Sequence, residues 1–379
     1  MKTQEFNISK AILEWIADSQ GFSVEELAYN IAPKKVDKVV QGIVNKTQAR
    51  ELAKLGNIPF GFLFLSEPPV NDKPSLPDFR NTLESVPISD DFYDVYTDIQ
   101  EKLNWFDEYL TRNGIKDKLS FVGRFNISTP IDEVAVDIRS SLDFEDIKLD
   151  TTGKQDYLKE VIDRLENLGI LIFKNGIVNV NTRRSLDVNE FRGFAIANEY
   201  TPAIFINGND SISAQLFTLL HEVAHIWIGK GGISNWAYPF ENEVETYCNK
   251  VAAEVLMPTF YFEKIWDSTL SENDNISKLS SLFKTSELSI TIKANQLNLV
   301  TDESVILIRE ELNKHLRKLK SNNQSSGGNY YNTLPWRNSR LLTKTIVSDA
   351  LNQNTLLTEA SRLLHAQPSA IMNQLAERI

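Results

Sequence analysis

Residues 216–229, LFTLLHEVAHIWIG, set three ionisable side chains inside an otherwise apolar run. From Ala214 through Ile228 the apolar residues Phe217, Leu219, Leu220, Val223, Ile226 and Trp227 recur with helical rather than alternating period, which predicts a mostly buried helix. His221 and His225 stand four residues apart, so their imidazoles project from one face about one turn apart and can clasp a single cation. Buried polar rings need partners, and one metal ion supplies them for both at once. Glu222 follows the first histidine and points to the side of such an ion, placed to take a proton from water and later return it to a leaving group. A His-Glu-x-x-His string also arises by chance in helices. The plain alternative, two core histidines satisfied by backbone carbonyls, leaves Glu222 unexplained in so apolar a setting.

Two histidines are one protein ligand short of the three that catalytic zinc sites use. Downstream, Glu245 fits best, with Glu241, Glu243 and Glu254 as competitors. Nineteen residues lie between His225 and Glu245, enough for a loop and a return helix beside the first. This interval resembles thermolysin-like, or gluzincin, peptidases, whose third ligand is a Glu on a following helix. Asn249 falls one turn beyond Glu245 on the same face, where it can hydrogen-bond a ligand histidine, and Ala252 and Ala253 continue that face with small side chains that permit close helix approach. A donor for a developing oxyanion has four tyrosine candidates: Tyr238, Tyr247, Tyr330 and Tyr331. The strand expected at Ala203–Ile206 is either a core strand or an edge that receives a peptide by strand addition.

The chain has one cysteine, Cys248, which excludes an intrachain disulfide and a cysteine-based metal cluster and suits a reducing compartment. The two remaining histidines, His315 and His365, stand alone in helical patterns and read as surface or helix-end residues. No run approaches the eighteen apolar residues of a membrane span and no leader-like segment opens the chain, so the expected location is the cytoplasm. A formal charge of −11 argues against coating nucleic acid through a global field. Lys34, Lys35 and Lys38 form a weak local basic feature, but residues 1–70 hold eight basic and eight acidic side chains.

Along the chain, 1–70 reads as a small all-helical bundle of helix-turn-helix type, with Ser23 capping one of its helices. Five prolines between 57 and 80 predict an extended connector, and 71–185 a helical support region with helices at Phe92–Asn113, Ile131–Leu142 and Tyr157–Leu168. Residues 186–320 form the expected core with a small sheet, a hairpin being expected at Gly169–Val180. SNNQSSGG at 321–328 is a polar linker, and 329–379 a helical carboxyl-terminal region. The fold class expected is α+β, mainly α: an amino-terminal helix-turn-helix-like bundle, a zincin-like core, and a helical end.

FTLLHEVAHIWIG followed by ENEVETYCNKVAAEVLMP resembles the ImmA/IrrE family of metallopeptidases, in its long form with an amino-terminal Xre-like helix-turn-helix. Phe191-Arg192-Gly193-Phe194-Ala195, Ile204–Asn207, Leu76–Arg80 and Ser326–Tyr330 are similar to further landmarks of that family. The segment Val39–Asn45 departs from the Xre pattern, lacking its Trp before Gly42 and its Pro after. The resemblance implies one Zn²⁺ per chain held by His221, His225 and Glu245, catalysis by Glu222, and cleavage of a repressor or antitoxin. It further implies operator DNA as a partner of the amino-terminal module, and it is compatible with a homodimer. It also admits a binding protein, an antitoxin or transcriptional regulator that masks a toxin, with a structural or vestigial metal site.

Overall fold

The computed structural model describes residues 5–56, 58–69, 88–145, 153–234, 242–310 and 330–375, without the side chains of 234, 330, 331 and 374. The expected linker at 321–328, the landmarks at 76–80 and 326–329, His315 and Glu241 lie outside the described residues. The chain divides into two compact units. One comprises Met1–Ser75, Ser89–Asp94 and Asn181–Ser185; the other comprises Leu76–Ile88, Val95–Val180 and Leu186–Ile379.

In the first unit four helices, α1 (Lys10–Ser19), α2 (Val24–Ile31), α3 (Val36–Val40) and α4 (Lys46–Leu55), close on Ile12, Leu13, Ile16, Leu27 and Leu52. Ser23 and Glu26 form a reciprocal capping box at the start of α2, and Asn45 with Gln48 does the same for α4, satisfying amide donors that a helix start leaves open. The all-helical expectation is corrected here. β1 (Glu5–Asn7) pairs antiparallel with β2 (Ile43–Asn45). Three-residue strands are too short to leave a period in the sequence. Gly42 enters the ladder at φ +82°, where a Cβ would sit 2.2 Å from the Ile8 carbonyl oxygen, so only glycine fits. The proline-rich connector begins with a short 3₁₀ turn at Phe60–Phe64 rather than fully extended chain.

The second unit is mainly helical around one small mixed sheet. The helices before the sheet are α5 (Asp90–Arg112), whose residues from Val95 belong to this unit, α6 (Ile131–Ser141) and α7 (Lys154–Asn167). Next come the strands β3 (Leu171–Asn175), β4 (Ile177–Val178), β5 (Asn181–Ser185, part of the first unit), β6 (Gly193–Ile196) and β7 (Ala203–Asn207). Then follow α8 (Ile212–Trp227), β8 (Gly232–Ser234), α9 (Glu243–Leu256), α10 (Thr259–Ile265), α11 (Glu272–Leu282) and α12 (Glu287–Gln296). At the carboxyl end are α13 (Tyr330–Arg337), α14 (Arg340–Leu351) and α15 (Leu357–Leu364).

The four-stranded sheet runs β3-β7-β6-β8, with β3 parallel to β7 and the other pairs antiparallel. The hairpin expected at Gly169–Val180 is therefore replaced by a long-range parallel pairing of β3. Leu171, Ile172 and Phe173 are all buried, as a strand covered on both faces requires. Along β7 successive side chains leave opposite faces: Ile204 and Ile206 pack with Leu219, Leu220 and Val223 of α8, whereas Phe205 stacks on Phe194 at 5.2 Å, and Phe194 meets Tyr96 of α5. Helices α13 and α14 also pack against β3. Since β7 is flanked by strands on both sides, it is a core strand and not an edge open to peptide.

The turn from β7 into α8 is pinned by side chains. Asn207 donates to the Phe191 carbonyl, Asn209 donates to those of Gly176 and Leu186, and Ser211 accepts from the Ala214 amide as N-cap. Gly193 lets α8 lie close on β6: a Cβ there would stand 2.7 Å from Thr218 Cγ2, 2.9 Å from the Phe205 carbonyl oxygen and 3.0 Å from Glu222 Oε1. Gly193→Ala is expected to destabilise the protein by about 1–3 kcal/mol through overpacking. The fall in urea midpoint at unchanged slope is the measurement that checks it.

Candidate active site

His221 and Glu222 lie in the second half of α8 and His225 in its last turn, and all three are fully buried. Glu245 enters from the first turn of α9, where the helix dipole favours a carboxylate, after Asn242 caps the helix by accepting from the Val244 amide. The two helices pack closely because α9 turns Cys248, Val251, Ala252 and Val255 into the common core. His221 Nε2 lies 3.0 Å from Glu245 Oε2, His225 Nε2 lies 3.0 Å from Glu245 Oε1, and the two Nε2 atoms are 3.1 Å apart. Such a triangle matches ligands about 2.0–2.1 Å from a tetrahedral ion.

The donor set itself calls for a cation. His225 Nδ1 stands 2.8 Å from the Lys230 carbonyl oxygen, which can only accept, so the ring proton sits on Nδ1 and Nε2 presents a lone pair to the triangle. Asn249 acts on His221 by a side-chain hydrogen bond that favours the charged ring. With the amide oriented so that Oδ1 faces His221 Nδ1, an atom otherwise lacking a partner receives one. Burial pushes the Glu245 carboxyl up, but the two histidines outweigh it and hold the group down at about 2. Burial likewise disfavours charge on His221, yet Glu245 prevails and raises its pKa, while burial keeps that of His225 low. The metal-free cluster thus favours an ionised Glu245 and a proton on His221, a proton that a divalent ion would displace.

The competing carboxylates are accounted for by position. Glu243 is exposed on α9. Glu254 accepts from Lys293 at 2.7 Å and from the Thr259 amide. Among the described residues, His221, His225 and Glu245 form the group able to hold a metal ion. The tyrosines fare differently. Tyr247 donates its hydroxyl to the Thr129 carbonyl at 2.8 Å, which commits it to the loop before α6 rather than to an oxyanion. Tyr238 lies outside the described residues, as do the side chains of Tyr330 and Tyr331. Cys248 is buried, and burial raises its thiol pKa well above the ordinary value. In the first unit Lys34 and Lys35 are exposed near the short α3, and Lys38 pairs with Glu5 at 3.0 Å. One contributor escaped sequence reasoning: the Lys230 carbonyl left no side-chain signature. Gly193 entered it only as part of the Phe191–Ala195 segment, not for its closeness to Glu222.

A buried His-Glu-x-x-His helix clasped by a Glu from the next helix against a small mixed sheet defines a gluzincin-like metallopeptidase. Residues 165–295 match the Peptidase_M78 family, described as the IrrE N-terminal-like domain, and so contain the whole cluster. Residues 338–378 match a domain of unknown function (DUF8813). Neither stretch reaches residues 1–75, and no curated protein matches the chain. No helix among the described residues is long and apolar enough to cross a membrane.

A divalent metal ion added to metal-stripped protein is expected to raise the melting temperature, since it binds the folded chain preferentially. Glu245→Gln, which removes the ionised ligand but keeps its shape, is expected to abolish that shift. Titration calorimetry in buffers of different ionisation enthalpy should show about one proton released per ion bound near neutral pH, and affinity falling as acid protonates His221 and His225.

Proposed function

We propose that the protein is a zinc-dependent endopeptidase that cleaves a specific regulatory protein, a repressor or antitoxin. Tetrahedral nitrogen and oxygen donors without a thiolate suit Zn²⁺, with His221, His225 and Glu245 as its ligands. When bound, the ion polarises a scissile carbonyl and makes a bound water acidic enough to be a nucleophile near neutral pH. The observation that carries the reading is Glu222, held between the two ligand histidines in sequence and seated against Gly193 of β6. Its carboxylate takes the water proton and returns it to the leaving amine, as a general base and then a general acid. The Lys230 carbonyl and Asn249 hold the rings so that each presents Nε2 to the ion.

Selectivity is supported by burial. All four residues are at most 1% exposed, an arrangement that suits one admitted substrate better than general digestion. β8, at the edge of the sheet and directly after α8, supplies a backbone ladder to which an extended substrate segment adds.

Glu222→Gln is expected to keep metal and fold and to lower cleavage at least about 100-fold, the ordinary contribution of a positioned acid–base group. Comparing new protein amino-termini in cells making wild type or this variant both finds the substrate and tests the proposal. If the termini are identical and the variant still supports the biological response, the protein works by binding its partner, and the peptidase reading fails.

A further inference from the structure

The two helices that carry the metal ligands are tied together by a segment that supplies none. Residues 119–129, just before α6 and outside the 165–295 stretch, bond to both α8 and α9. At α8 they meet the carbonyls that a helix terminus leaves open. The Gly123 amide donates to the Ile226 carbonyl at 3.0 Å and the Phe125 amide to the Trp227 carbonyl at 3.1 Å, so this segment completes the turn that holds His225. Phe121 stacks on Trp227 at 4.7 Å. At α9 the Thr129 carbonyl accepts the Tyr247 hydroxyl at 2.8 Å, two residues beyond Glu245. Asp137 of α6 closes the frame, accepting from Arg124 and from the Trp227 indole, each at 2.7 Å.

The fit is closest beside His225. Gly123 and Gly229 both hold positive φ, +66° and +65°, and a Cβ on Gly229 would stand 2.9 Å from the Gly123 Cα. Gly229 immediately precedes Lys230, whose carbonyl accepts from His225 Nδ1, so a displacement at Gly229 reaches a ligand ring through one peptide unit. Tyr247 acts likewise on the start of α9, from which Glu245 reaches the triangle. Apolar packing is non-directional, whereas three hydrogen bonds fix where the end of α8 stands relative to the start of α9. Ligand atoms 3.0–3.1 Å apart around one ion tolerate only about 0.5 Å of misplacement. We infer that residues 119–129 are a strap that sets the metal geometry, with Gly229 and Tyr247 as the positioning residues through which it acts. The inference deepens the zinc reading and rests on it.

Zinc titration of the full chain in competition with a chromophoric chelator, together with the visible spectrum of the cobalt-substituted protein, tests this. Tyr247→Phe removes only the hydroxyl held by the strap. It is expected to stay folded, to bind zinc at least about tenfold more weakly, as loss of a group that orients ligands implies, and to shift the cobalt bands. Gly229→Ala puts a Cβ in the path of the strap and is expected to weaken zinc further; if Gly229→Ala does not fold, Tyr247→Phe decides the matter. Ser211→Ala removes the N-cap at the far end of α8. This variant is expected to lower the melting temperature while binding zinc like wild type, which separates positioning from stability. Wild-type zinc affinity and an unaltered cobalt spectrum in Tyr247→Phe overturn the inference, as does an equal loss of zinc affinity in Ser211→Ala. Failure of wild type to bind either ion is a distinct result that overturns the metal reading, and the strap with it.

Discussion

Three lone pairs within about 3 Å of one another, on His221, His225 and Glu245, are the constraint on which the second unit depends. In a low-dielectric interior they repel unless a proton or a cation lies among them. The surrounding structure supplies what makes the arrangement tolerable. The Lys230 carbonyl fixes the His225 tautomer, Asn249 supports His221, and the start of α9 favours the Glu245 carboxylate. None of these partners can close unless α9 packs tightly on α8, and the small residues of the shared core permit that approach. The packing of two helices and the chemistry of one ion are therefore a single problem, solved by the same side chains.

The sheet gives the helix pair its platform and separates two environments. Ile204 and Ile206 support the metal helix, and Phe205, between them in sequence, faces the aromatic cluster with Phe194. A shift of β7 toward either face would be felt on both, because a packed interior repacks in discrete steps rather than yielding gradually. Gly193 marks how close the fit is on the metal side: neither Thr218 nor Glu222 leaves room for one further carbon. Glu222 is thus placed by the absence of a side chain as much as by its own helix.

The chemistry of the site was legible in sequence because it is local. A four-residue spacing within an apolar run predicted a helix over Ala214–Ile228, and the observed α8 is Ile212–Trp227. Glu245 was legible because only nineteen residues lie between it and His225, and it sits on the next helix of the chain. What could not be read was non-local. The parallel pairing of Leu171–Asn175 with Ala203–Asn207 leaves no mark in the local period of either strand, and the three-residue ladder in the first unit is shorter than any period. Tyr247 looked eligible for an oxyanion by its position next to the ligand helix face, yet two residues beyond Glu245 its ring turns away and its hydroxyl reaches Thr129. His365 read as a surface or helix-end residue, since nothing in its segment announces the Asp98 carboxylate 267 positions away.

The carboxyl-terminal helices belong to the same unit as the peptidase core, and a buried carboxylate shows why. Glu166, in the last turn of α7, accepts the Ser339 hydroxyl and the Arg340 amide, so a side chain from the stretch that matches the peptidase family caps the first helix of the other matched stretch. Burial drives its pKa up to about 7 even though these donors oppose the rise. Ser339 holds φ +60° to present its hydroxyl, a conformation that a non-glycine residue sustains only when its surroundings over-determine it. Asp163, one turn before Glu166, pairs with Arg340. A helix whose opening amides are satisfied by a neighbouring segment cannot dissociate without exposing or orphaning them. The carboxyl-terminal stretch is consequently part of the fold that carries the metal site, and the strand it covers, β3, lies directly beside β7.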